Sequence, residues 1–105
     1  MRFVVSSTFR AECDVAKIYS WLEGSSKRGA DSWFRALQRA RLWLEENALL
    51  CSFAPENNLF DVELREHFFK TKHGNKYRLL FTVDGSEVRV LHVRGPGQDL
   101  VSPNG

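Results

Sequence analysis

The sequence predicts an α+β fold in the order β-α-α-β-β-β. Two apolar stripes of helical period occupy residues 11 to 44. Three strand-like runs occupy residues 63 to 94, divided by the turn formers His73-Gly74-Asn75 and Asp84-Gly85. A short β-type run, Phe3-Val4-Val5, precedes the helices. At 105 residues the chain has room for one core, so residues 1–105 are expected to form a single domain.

Each element has a local signal. Ser7 or Thr8 offers an N-cap for a first helix, whose stripe is Val15, Ile18, Tyr19 and Leu22. Gly24-Ser25-Ser26 supplies its stop, and a second helix starts near Gly29 or Ala30. The second stripe is Ala30, Trp33, Leu37, Ala40 and Leu44, with Phe34 and Trp43 widening it. The short connection predicts an antiparallel helical hairpin. Residues 51 to 62 form a connection that lies over the core through Phe53, Leu59 and Phe60. Strands are then expected at about 63–72, 76–83 and 87–94, with a frayed tail at Ser102-Pro103-Asn104-Gly105. The first strand should pair with this meander, and both helices should cover one face of the sheet. The aromatic residues at helical spacing, Tyr19, Trp21, Trp33, Phe34 and Trp43, read as core rather than as a stacking platform.

Strand alternation then sorts the charges. Tyr77, Leu79, Phe81 and Val83 form an apolar set for the helix side, leaving Arg78, Leu80 and Thr82 on the open side. Glu66, Phe68, Lys70 and Lys72 share one face of the preceding strand. In the last strand Val88, Val90, His92 and Arg94 share a face, while Leu91 and Val93 suit the core. Lys70, Lys72, Arg78, His92 and Arg94 are therefore expected to converge on the open face.

Net charge is only +2, but five cations, Arg65, Lys70, Lys72, Lys76 and Arg78, fall within fourteen residues that hold one acid, Glu66. Such a local cluster suits an anionic partner, RNA first, with affinity that falls as salt rises. The plainer alternative is a set of solvated lysines that protect sheet edges from aggregation. His67 and His73 read as surface residues, and His92 is as readily a structural histidine as a functional one. No membrane span and no signal peptide are expected. Cys13 and Cys51 fit no metal-ligand spacing and predict a reducing, cytoplasmic setting. Asp84, Glu87 and Asp99 are scattered, and Gly95-Pro96-Gly97 lacks the lysine and helix of a phosphate loop, so no metal or cofactor is expected.

Several of these residues carry a resemblance. Ala16 to Leu22, the Ala30-Trp33-Leu37-Ala40-Leu44 stripe, Lys70-Thr71-Lys72, Lys76 to Phe81 (KYRLLF) and His92-Val93-Arg94-Gly95 together resemble toxins of the RelE/ParE superfamily. These are the toxin halves of bacterial type II toxin–antitoxin systems, and the resemblance covers nearly the whole chain. It implies a cognate antitoxin that covers the basic sheet face, and one of two activities. One is ribosome-dependent, metal-independent cleavage of messenger RNA as an endoribonuclease. The other is inhibition of DNA gyrase without catalysis.

For cleavage, the resemblance makes Lys70 or Lys72 the base or phosphate clamp and Arg78 and Arg94 the stabilisers of the phosphorane charge. Arg65 and Lys76 would add phosphate contacts. Family nucleases often carry a tyrosine or histidine acid after the last strand. The tail from Gly95 to Val101 has neither, which leaves His92, or His73 from the turn, as a substitute acid. A toxin-like fold that has lost its toxicity is the third reading.

Overall fold

The structure, a computed structural model, describes residues 2–98. The tail at 102–105 therefore lies outside the described residues. A strand, β1 (Val4–Ser7), leads into α1 (Phe9–Glu23) and α2 (Lys27–Asn47). Two 3₁₀ turns follow, Ala48–Leu50 and Pro55–Leu59, and then β2 (Arg65–Phe69), β3 (Tyr77–Asp84) and β4 (Glu87–Arg94). The sheet order is β1-β4-β3-β2, with β1 parallel to β4 and the meander antiparallel. This is the α+β architecture the pattern predicts.

Side-chain caps set both helix starts. The Thr8 hydroxyl accepts from the Ala11 N–H at 3.1 Å, and the Ser26 hydroxyl accepts from the Gly29 N–H at 3.0 Å. The Ser26 cap starts α2 at Lys27, earlier than the apolar stripe indicated. The expected stripe of α2 is buried, joined by Ala36. Its alanines bring the helix close to Leu79, Phe81, Val88, Val90 and Val93 of the sheet. Three aromatic residues depart from the core reading. Trp21 is 72% exposed, and Phe34 and Trp43 are each 39% exposed. Trp43 instead lies flat against His67 of β2, with ring centroids 4.3 Å apart.

The sheet corrects three expectations. First, β2 ends at Phe69, so Lys70 and Lys72 lie beyond it in the connection to β3. Second, the face away from the helices is not open. Leu80 is fully buried there with Ala54, Leu64, Phe60 and Leu91, beneath residues 54–64. That connection closes on itself through Ala54 N–H to the Leu64 carbonyl (2.8 Å) and joins the edge of β2 through Glu66 N–H to the Ser52 carbonyl (3.1 Å). Third, a bulge changes the parity of β4. Leu80 pairs with His92 and Phe81 with Val90, so Leu91 is the extra residue. Val88, Val90 and Val93 consequently all join the helix-side core, and Leu91 packs on the second face. The Gly85-Ser86 turn between β3 and β4 places Gly85 at φ +59°, where glycine carries no steric penalty.

Candidate functional site

The bulge and the alternation of β3 put Arg78, His92 and Arg94 on the second face, with Arg78 directly opposite Arg94. Glu66 reaches the same face from β2, where it pairs with Leu80. The connection supplies a residue that strand reasoning did not reach. Pro55 opens the second 3₁₀ turn, and Glu56 in its first turn is fully buried.

Glu56 is the fixed partner of Arg78. Its Oε1 and Oε2 accept from Arg78 Nη1 and Nη2 at 2.8 and 2.5 Å, a bidentate fork. Glu66 Oε1 accepts from Nη1 at 3.1 Å. The hydrogen bond to Glu56 is the chief cause of a raised Arg78 pKa, opposed by burial. Two carboxylates thus surround the guanidinium expected to meet phosphate.

His92 is 9% exposed. Burial lowers its pKa, and Asp14 opposes the shift. Asp14 reaches it from α1, with Oδ2 3.7 Å from His92 Nδ1, and the same oxygen accepts from the Val93 N–H at 3.0 Å. That amide needs a side-chain acceptor because β1 pairs with β4 only through Val90, after which α1 runs beside the strand.

The remaining cations disperse. Arg65 donates from Nη1 to the Cys51 carbonyl at 2.6 Å and lies over Phe53, 4.6 Å from the ring centre. Lys76 lies over Phe68 at 4.3 Å. Lys70 is exposed just past β2. Lys72 lines a groove with α2 and Tyr77, a residue of the helix-side core. Of the five residues expected to converge, the structure brings three together and places Lys72 on the other side of the sheet. The centre they form holds an ion-paired arginine and a histidine disposed to stay neutral. It does not hold a lysine pair beside a free guanidinium.

Cys13 and Cys51 are free thiols, and burial raises the pKa of Cys51. Among the described residues, no cluster of three or more potential metal ligands occurs, and no helix is long and apolar enough to cross a membrane.

No protein-family model matches the chain, and a comparison with curated proteins finds no match.

Proposed function

We infer that the chain is a cytoplasmic toxin of the RelE/ParE type, paired with an antitoxin, and that it acts by binding its target rather than by cutting RNA. The toxin part rests on the residue resemblance together with the element order, in which a strand, a helical hairpin and a three-stranded meander follow one another and β1 returns beside β4. The choice between activities rests on one observation, the closure of Arg78 by buried Glu56 and by Glu66. Cleavage needs cations that gain interaction as charge develops on phosphorus. A guanidinium already forked onto a buried carboxylate must first break those bonds. Lys72, the proposed base or clamp, is across the sheet from it. Of the two family activities, gyrase inhibition fits this arrangement better.

The antitoxin belongs to the same proposal, with a changed footprint. Residues 54–64 already cover part of the sheet face on which it was expected to lie.

Induced expression without the neighbouring antitoxin frame tests the reading. Growth arrest with DNA double-strand breaks and intact transcripts is the expected result. Cleaved transcripts would restore the nuclease reading, and harmless expression would remove the toxin reading altogether.

A further inference from the structure

A groove of about 690 Å³ lies at the opposite end of the helical layer from the β1 entry, between the N-terminal half of α2 and the β2–β3 connection. Arg28, Arg35 and Arg39 line it from α2, and Lys72 and His73 from the connection. At spacings of seven and four residues the three arginines follow one face of the helix, along about 16 Å of its axis. Among the described residues lining the groove there is no acid. Arg35 donates to the Ser32 hydroxyl at 3.2 Å, but none of these four cations forms an ion pair among the described residues. This is the reverse of the second sheet face, where carboxylates neutralise the arginine.

We propose that this groove binds the sugar–phosphate backbone of a nucleic acid without reading its sequence. Three of its four permanent cations are arginines, whose planar forks suit phosphate oxygens. Ser25, Thr71 and Asn75 add the hydroxyl and amide groups that commonly accompany such contacts. Trp33 also lines the groove, and its buried indole N–H has no acceptor. The two large rings of the groove are spent on the core: Trp33 and Tyr77 pack edge-to-face, centroids 5.5 Å apart, and Tyr77 is 7% exposed. The exposed ring left among the lining residues is the His73 imidazole, so four cations outweigh a single small ring and backbone contact is favoured over the stacking of successive bases. The lack of an exposed apolar anchor, with charge at the centre, argues against a peptide, whose binding surface is normally depleted of charge at its core. The connection holds its cations in place through a tight turn. Gly74 N–H donates to the Thr71 carbonyl at 3.2 Å, and a side chain at Gly74 would collide with the Thr71 hydroxyl. The proposal uses no residue of the second sheet face, so it stands or falls apart from the toxin reading.

Fluorescence anisotropy with the intact chain tests it, using a short labelled single-stranded RNA, the same sequence as DNA, a scrambled RNA, and a polyglutamate peptide as competitor. Binding should be similar across the nucleic acids and should weaken steeply with salt. R35A/R39A should lose at least tenfold in affinity, and its salt slope should become shallower by about 1.4, at about 0.7 per phosphate contact on a single strand. R89A, far from the groove and ion-paired with Glu87, should bind as the unaltered chain does. Circular dichroism checks that the variants fold, and K72E supplies an independent loss from the other wall. No binding at low salt, equal affinity in R35A/R39A, marked sequence preference, or tighter binding of polyglutamate than of RNA would each overturn the proposal.

Discussion

Glu56, with no exposed surface, holds Arg78 in a two-pronged ion pair at 2.8 and 2.5 Å across 22 residues of chain. The pair fastens the 48–64 connection to the central strand β3, on the face where Ala54, Leu64 and Leu80 cluster. Its energetic role follows from desolvation. A buried charge that keeps its partner is tolerated, whereas one left alone is expensive.

Arg78→Ala should therefore destabilise the fold by about 3–5 kcal/mol, because it removes both prongs of the ion pair from a buried carboxylate. Replacing both partners with apolar residues of similar size, Glu56→Leu with Arg78→Met, should recover most of that loss. Urea denaturation measures both. A single variant within 1 kcal/mol of the unaltered protein would mean the pair does not anchor the connection.

The dispersal of the lysines gives a functional counterpart. Lys70→Ala and Lys72→Ala, singly or together, should leave growth arrest intact, since neither residue shares the Arg78 centre. Loss of toxicity in the double variant, with its folded content unchanged, would return these lysines to the active surface. Colony formation under induction reads the result.

Stability should fall as pH drops from about 7 towards 5, before most carboxylates titrate. His92 and His67 both have pKa values lowered by burial, so the unfolded chain binds protons that the folded chain resists. Their contribution is complete above the ordinary histidine pKa of 6.5 and is lost as pH falls through that value towards the depressed folded one. His92→Gln should flatten this part of the curve. Asp14→Asn should depress the His92 pKa further, because Asp14 is the main group raising it. Histidine ring shifts followed by NMR would reveal the opposite movement if that electrostatic account is wrong.

Gly95 ends β4 beneath the Tyr77 ring, and a Cβ there would stand 2.7 Å from Tyr77 Cε2. Tyr77 cannot swing away freely, being packed against Trp33 and Phe69. Gly95→Ala should cost about 1–3 kcal/mol through overpacking. Thermal unfolding that is unchanged would show the ring to be more mobile than its contacts imply.

Much of the fold was legible in residue patterns, and the failures have local causes. The α2 stripe and the Tyr77-Leu79-Phe81-Val83 alternation point as expected, because period alone determines which residues share a face. The β4 parity was misread because one bulged residue, Leu91, reverses every assignment on one side of it. Lys70 and Lys72 were carried too far along β2, since strand ends depend on the partner strand and not on composition. Glu56 was missed because a lone acid in a connection has no period tying it to Arg78. The one available hint was its position beside Pro55, which suits a helical first turn.

Sequence alone determined the element order, the helix-facing residues of β3, the buried stripe of α2 and the placing of Arg78 opposite the helix-side core, all consequences of short-range periodicity. Only the tertiary structure decided what Arg78 touches, which side Lys72 takes and which cations lack a carboxylate. Those outcomes depend on where a 17-residue connection folds back, and desolvation of charge, not local propensity, governs that choice.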